Sequence, residues 1–284
     1  MTIIERALNK HRSVAKPDRG VLKRTAPPVQ AIDPALRIPR SEMQIDRDFC
    51  RQRRLLVSID SDQDKRYVAA YRMLRTRLLQ KARTANWMVI AVTSAGPNDG
   101  KTLTVINLAL SLAREKTREI VLLDMDMRNP SVCRALGVQP AAELSDFLEH
   151  GTHLENLFFT IGGDNLLVAG CVTPIEHASE VLGGPRFEEL MGFIKRGAMD
   201  PIVLIDLPPV LVTDDALVVA PKVDAVLVVA SEGYTSRADL GKALDMLSEF
   251  PVAGVVLNRS AESSPYYNYG YEADSNSRVS RKQV

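Results

Sequence analysis

Cysteine is scarce in this chain of 284 residues. Cys50, Cys133 and Cys171 are too few and too scattered for a disulfide framework or a metal site, which suits a reducing compartment and excludes zinc chemistry. Net charge is nearly absent as well. Thirty-six Lys and Arg stand against thirty-five Asp and Glu, so no global field drives nonspecific nucleic-acid binding and no nucleic-acid partner is expected. Long apolar runs are also missing. The longest, around 203–212 and 225–230, are interrupted by Asp or Pro and fall well short of the roughly 20 residues of a membrane span. The N-terminus MTIIERALNKHR has charges inside its apolar segment and no small-residue cleavage site, so it is not a secretory signal. The expected location is the cytoplasm.

What is present is 45% apolar residues, enough for a sizeable core in one or two domains. Charge is uneven along the chain. Residues 1–54 hold thirteen Lys/Arg against six Asp/Glu, with five prolines, a composition that builds no core and reads as a tail. Within it, Thr2 and Glu5 form a capping box ahead of Ile3, Ile4, Ala7 and Leu8, which predicts a short helix for docking on the domain or on a partner. The spacing of Tyr67, Tyr71, Leu74 and Leu78 predicts a helix over 64–82, with Arg66, Arg72, Arg75, Arg77 and Lys81 on its other faces. From residue 87 short apolar runs alternate with amphipathic ones, the pattern of a parallel sheet covered by helices. Strands are predicted at 88–93, 120–125, 166–169, 202–206, 225–229 and 252–257, and helices at 101–115, 186–195 and 236–249. Residues 263–284 lose apolar periodicity and form a second tail. The predicted division is a basic Pro-containing tail over 1–63, an α/β domain over 64–262 and a Tyr-rich tail over 263–284, with both tails disordered.

The strongest local signal is VIAVTSAGPNDGKT, a strand, a tight loop from Gly96 through Pro97, Asn98 and Asp99, and then Gly100-Lys101-Thr102-Leu103 opening a helix. Backbone N–H groups and the helix dipole hold phosphates there, with Lys101 on the β/γ-phosphates and the Thr102 hydroxyl on Mg²⁺. The strict motif has Gly where this chain has Ala95. The second signal, Val121 to Arg128, ends an apolar strand in Asp124 and Asp126. Residues two apart on a strand share a face, so both carboxylates are predicted to look toward the phosphates and to invite Mg²⁺. The third, Ile202 to Pro209, ends another apolar strand in Asp206, the expected second metal-side carboxylate. Asp214 and Asp215 follow at a predicted helix start, where N-capping explains them. Asn258 ends the last strand, placed either to read an adenine edge or to make a turn. Finally Tyr266, Tyr267, Tyr269 and Tyr271 crowd into a polar tail, the pattern of a multi-site phosphoacceptor.

Together these residues resemble the bacterial tyrosine kinases of polysaccharide export. That family combines a phosphate loop, hydrophobic residues followed by D-x-D-x-R, hydrophobic residues followed by D-x-x-P, and a C-terminal tyrosine cluster, here Gly96–Thr102, Val121–Arg128, Leu204–Pro209 and Tyr266–Tyr271. The resemblance covers about residues 64–272. The N-terminal segment and its basic linker are similar to the free-standing autokinases of exopolysaccharide loci linked to exosortase systems. The family often has E-x-x-R-x-x-R before the first strand for ring assembly, and this chain has Ala69 in place of the Glu, ahead of Arg72 and Arg75.

The resemblance implies a P-loop NTPase fold and phosphoryl transfer from Mg-ATP to tyrosine. Lys101, Asp124, Asp126, Arg128 and Asp206 are the implied catalytic group. Gly96 to Leu103 and Asn258 bind ATP, Thr102, Asp124 and Asp206 arrange Mg²⁺, and Asp126 accepts the tyrosine proton. The implied partners are a membrane polysaccharide co-polymerase or chain-length regulator that activates the kinase at the inner membrane, other copies met through the tyrosine tail, and a cognate tyrosine phosphatase. Two other functions share these motifs. One is a partitioning-type ATPase, which usually carries an additional early Lys in the phosphate loop that is absent here; the other is a nucleotide-binding regulatory subunit of a polysaccharide co-polymerase.

Overall fold

The computed structural model describes residues 38–56, 65–152 and 154–260. The predicted N-terminal capping box and the four tail tyrosines lie outside these residues.

An eight-stranded sheet forms the middle layer. Its strands are β1 (Ser41–Glu42), β2 (Val89–Ser94), β3 (Ile120–Asp124), β4 (Phe159–Thr160), β5 (Leu166–Ala169), β6 (Ile202–Asp206), β7 (Ala225–Ser231) and β8 (Val252–Asn258), in the order β1-β4-β5-β3-β6-β2-β7-β8. The β4–β5 pair is antiparallel and every other pair is parallel. Both faces are covered. In β2, β3 and β6 the alternate residues Val89 and Ala91, Val121 and Leu123, and Val203 and Ile205 enter one core cluster. Their neighbours Ile90 and Val92, Ile120 and Leu122, and Ile202 and Leu204 enter the other. That two-sided burial is why the strands are unbroken apolar runs rather than alternating ones.

The helices are α1 (Arg47–Gln52), α2 (Lys65–Ala85), α3 (Lys101–Ala113), α4 (Val132–Leu136), α5 (Leu144–His150), α6 (Ala178–Gly183), α7 (Pro185–Gly197), α8 (Asp215–Val219) and α9 (Arg237–Met246). α3 runs between the sheet and α2 and buries Val105, Ile106, Leu108 and Ala109 completely. Each of the Val, Ile and Leu side chains contributes ~1.5–3 kcal/mol of transfer free energy. On α2 the buried stripe is Tyr71, Leu78, Leu79 and Ala82. Arg75, one of the residues at assembly-type spacing, is used within the chain: it pairs with Glu115 at 3.1 Å and donates to the Ser111 carbonyl at 2.8 Å.

The basic segment departs from its expected character as a tail. Residues 38–56 carry β1 and α1, and Ile38, Cys50, Leu55 and Leu56 are buried in the two clusters. The fully buried Asn107 of α3 holds the end of this segment. Its Oδ1 accepts from Leu56 N at 2.8 Å, and its Nδ2 donates to the Arg54 carbonyl at 3.1 Å and to the Tyr67 hydroxyl at 2.8 Å. A few apolar anchors and the two Asn107 hydrogen bonds to Arg54 and Leu56 outweigh an unfavourable average composition.

Candidate active site

The chain runs from β2 through α3 to β3 on one side, and β6 and β7 later close on both flanks of β2. Ligands of such sheets sit at the carboxyl ends of the strands where the order reverses, and the phosphate loop lies there, between β2 and α3. Gly100 has φ of 84°, which favours glycine, and a Cβ on it would fall 2.2 Å from the Asn258 Nδ2 and displace that amide. Ala95 needs no such freedom. Its methyl is fully buried in the core, which accounts for the departure from the strict motif.

Two residues read as nucleotide contacts brace this loop from within. The Asp99 carboxylate, 1% exposed, accepts from Gly96 N at 3.1 Å and from the Thr235 hydroxyl at 2.5 Å. Asn258 donates to the Asp99 carbonyl at 2.9 Å. Thr235 is a supporting residue that the sequence did not single out, because 136 residues separate it from Asp99.

β3 and β6 are in register with Asp124 opposite Asp206. Both continue the set of residues that face α3, so their carboxylates meet the start of that helix. Lys101 Nζ lies 2.6 Å from Asp126 Oδ2 and 3.3 Å from Asp206 Oδ1. The Thr102 hydroxyl donates to Asp206 Oδ2 at 2.6 Å and lies 3.0 Å from the Ser131 hydroxyl. Asp124 accepts from Ser131 N at 2.9 Å and Val132 N at 2.8 Å, at the head of α4.

The predicted alternation of Asp124 and Asp126 on one strand is corrected here. β3 ends at Asp124, so Asp126 belongs to the following turn and reaches Lys101 by that route, while the side chain of Asp124 is tied to α4. Ser131, which joins the two motifs, was missed by the sequence reading.

Three carboxylates and one ammonium share this buried place, with Asp124 and Asp206 fully buried and Asp126 and Lys101 at 4% and 9% exposure. Burial first, then repulsion from Asp206, pushes the Asp124 carboxyl up to about 7, against hydrogen bonds from Val132 and Ser131 and the charge of Lys101. Burial likewise raises Asp206, although Lys101 and Thr102 oppose it. For Lys101 burial works against the charge, but Asp206, Asp126 and Asp124 outweigh it and raise its pKa. An excess of buried negative charge, carried by the carboxylates of Asp124, Asp126 and Asp206 beside the Thr102 hydroxyl, fits a hard divalent cation that takes one or two carboxylates, a hydroxyl and phosphate oxygens.

Arg128 stands apart from this cluster. Its guanidinium forms a two-point ion pair with the fully buried Asp215, Nε to Oδ2 at 3.0 Å and Nη2 to Oδ1 at 3.3 Å, and Nη1 donates to the Glu176 carbonyl. Asp215 is therefore not the N-cap that was expected. Asp214 occupies the N-cap position of α8 without a side-chain capping bond. The apolar loop from Leu207 to Thr213 connects Asp206 to that pair and is stitched to the end of β2, just ahead of the phosphate loop, by Val210 N to the Ser94 carbonyl, 2.9 Å, and by the Thr93 hydroxyl to the Pro208 carbonyl, 2.6 Å.

A pocket of about 680 Å³ opens beside the phosphate loop, between Gly100, Leu103 and Thr104 of one wall, Tyr67 and Tyr71 of another, and Asn258. Among the described residues no helix is long and apolar enough to cross a membrane.

Comparison with known proteins accords with this site. Residues 86–276 match the ParA family model, described as NUBPL iron-transfer P-loop NTPase. The chain is 29% identical over 276 residues to the tyrosine-protein kinase Wzc of Salmonella typhimurium, covering 91% of this chain and 38% of Wzc. It is 32% identical over 186 residues to the tyrosine-protein kinase CpsD of Streptococcus pneumoniae, covering 60% of this chain and 75% of CpsD. The chain thus spans under two fifths of the length of Wzc. Among solved structures, the VpsO kinase domain superposes with a TM-score of 0.62 at 26% identity, over 70% of this chain and 98% of that one. The kinase domain of the Escherichia coli tyrosine kinase ETK shares the fold, with a TM-score of 0.66 at 22% identity, over 80% and 92%. The chain belongs to the ParA-type P-loop NTPases and, within them, to the bacterial tyrosine kinases.

Proposed function

We propose that this chain is an ATP-dependent tyrosine autokinase that phosphorylates Tyr266, Tyr267, Tyr269 and Tyr271 and thereby regulates exopolysaccharide polymerisation and export. The observation that carries the reading is the convergence of Lys101, Thr102, Asp126 and Asp206 at 2.6–3.3 Å on the end of the phosphate loop. Backbone N–H groups from Asn98 to Thr102 cradle the phosphates, and Lys101 leaves its carboxylates to neutralise the β/γ oxygens. The nucleoside end of ATP fits the pocket beside Leu103 and Asn258. Thr102, Asp124 and Asp206 are the residues to hold magnesium, which when bound neutralises charge on the phosphate oxygens.

A phenol with a pKa near 10 is a poor nucleophile at neutral pH, so its proton must leave as the new bond forms. Asp126, freed by the movement of Lys101, accepts it. The phenolic oxygen bonds to the γ-phosphorus, the bond from that phosphorus to the β–γ bridging oxygen breaks, and ADP departs. Arg128 serves as a positioning residue, holding α8 and the 207–213 loop beside the cluster through Asp215.

Under this reading the partners are a membrane chain-length regulator that recruits and activates the kinase at the inner membrane, a second copy that presents its tyrosine tail, and a cognate phosphatase that resets the tail. The test is incubation of the purified chain with labelled ATP and Mg²⁺, followed by phosphotyrosine mapping. Label on the 266–271 cluster supports a kinase. Hydrolysis of ATP without phosphotyrosine would assign the site to an ATPase instead.

A further inference from the structure

We propose that the arginine-rimmed pocket beside the phosphate loop is a docking site for the chain's own C-terminal tail once that tail is phosphorylated. The idea rests on the kinase reading only for the origin of the phosphates. Arg54, Arg66 and Arg259 line the pocket, all three are exposed, and its lining contains no Asp or Glu. None of the three arginines pairs with a carboxylate among the described residues. Arg54 and Arg259 are moreover held at φ of 56°, left-handed backbone that a side-chain-bearing residue adopts at a cost. Beneath the arginines, Tyr67, Tyr71, Leu74 and Val256 present rings and aliphatic carbon.

A nucleoside does not account for this rim. Base and ribose are uncharged, and the phosphates of a nucleotide belong to Gly100–Thr102 at the far edge. Three guanidiniums with no carboxylate partner among the described residues, set over an apolar floor, match an aromatic ring that ends in a dianion, because the ring covers the floor while each guanidinium offers a two-point bond to phosphate oxygens. Phosphotyrosine has that chemistry, with about −1.5 to −2 charges per group.

The path of the chain selects the occupant. Ser260, the last described residue, itself lines the pocket, and Tyr266 follows six residues later. Six extended residues reach ~20 Å, so Tyr266 and Tyr267 return to the rim of their own molecule with a local concentration on the millimolar order. The docked tail covers Gly100, Leu103 and Thr104 and competes with the nucleoside. Phosphorylation then slows further turnover of the same molecule, a brake that is reset when the phosphate is removed.

The experiment uses the full chain with all four tail tyrosines changed to Phe, titrated by fluorescence anisotropy with a synthetic labelled peptide of residues 263–272. One peptide carries phosphate on the tyrosines at 266 and 267 and the other carries none. The expected result is at least tenfold tighter binding of the phosphopeptide, a loss of several-fold in each of Arg66→Ala and Arg259→Ala, and no change in Arg83→Ala, an exposed arginine outside the pocket. A full chain with phosphotyrosine encoded at 266 and 267 should refuse the peptide at every protein concentration and bind a fluorescent ATP analogue more weakly than the unmodified chain. Equal binding of the two peptides, or indifference to Arg66 and Arg259, overturns the site. Uptake of peptide by the encoded phosphoprotein overturns docking within one molecule. Because the phosphates are installed chemically, failure here leaves the kinase reading standing, and a chain that transfers no phosphate leaves the titration fully informative.

Discussion

Replacing Arg128 by Met should cost more stability than its partly exposed position suggests. The Arg128 side chain is 35% exposed, whereas that of Asp215 is 0% exposed. Removing the guanidinium leaves a buried carboxylate with its main cation gone, which typically costs ~3–5 kcal/mol, far more than the pair itself is worth. Asp215→Asn keeps the shape but sets its NH2 against one of the two guanidinium donors, so one hydrogen bond is lost together with the charge, about 2–3 kcal/mol. In the double variant the loss of the guanidinium no longer strands a charge, so the combined loss should fall below the sum of the single losses by roughly 2 kcal/mol or more. For a domain of this size 1 kcal/mol moves the midpoint by ~2–4 °C, so Arg128→Met alone should lower it by roughly 6–20 °C. Urea and thermal unfolding of the four proteins, followed by circular dichroism, measures the cycle. A loss of under about 1 kcal/mol in Arg128→Met, or strict additivity in the double variant, would refute the view that Arg128 is held by Asp215 rather than aimed at the phosphates.

Asp124→Asn should weaken the Mg²⁺ response of phosphorylation while sparing the ligand-free fold. Since the Asp124 carboxyl is pushed up to about 7 from 3.8, the folded state holds a proton that the unfolded chain has already released. Its cost is full above about pH 7 and fades toward acid, so the Asn variant should gain stability relative to wild type at pH 8 and less at pH 5. An identical Mg²⁺ titration in the two proteins contradicts the assignment. The thiols of Cys133 and Cys171 are pushed up to about 12, chiefly by burial and then by the charge of Asp124. Both should therefore resist alkylation at pH 8 in the folded chain and react in denaturant, as mass spectrometry of labelled peptides would show; rapid labelling of the folded protein would count against the packing around Asp124.

The long elements were legible because their apolar residues repeat. β5 and β6 have their predicted bounds, and the ends of the other predicted strands and helices shift by a few residues at most. The short helices α4, α5, α6 and α8, of five to seven residues, carry too few turns for a periodicity, and packing rather than propensity fixes them. Residues 38–56 looked like a tail because thirteen basic residues and five prolines dominate the first fifty-four; the anchoring Asn107 lies about fifty residues away and gives no local signal. In the site, Lys101, Thr102 and Asp206 followed from motif spacing. Arg128 was read with the catalytic group, and its partner Asp215 lies 87 residues away in sequence, a pairing no local pattern encodes.

The central claim is phosphoryl transfer to the tail, and the direct measurement is the simultaneous yield of tail phosphotyrosine and free inorganic phosphate from Mg-ATP. It should be made on the wild-type chain, on Lys101→Met, and on the variant with Tyr266, Tyr267, Tyr269 and Tyr271 changed to Phe. Loss of Lys101 removes the cation from the buried Asp126 and Asp206 and therefore costs stability, but Lys101 belongs to no core cluster; the variant, checked as folded by circular dichroism at the assay temperature, should make neither product. Wild type should place phosphate on the 266–271 cluster in excess of what it releases to water, and the Phe variant should lose the phosphotyrosine. Equal phosphotyrosine in wild type and a folded Lys101→Met chain, or release of inorganic phosphate with no phosphotyrosine in wild type, would contradict the account.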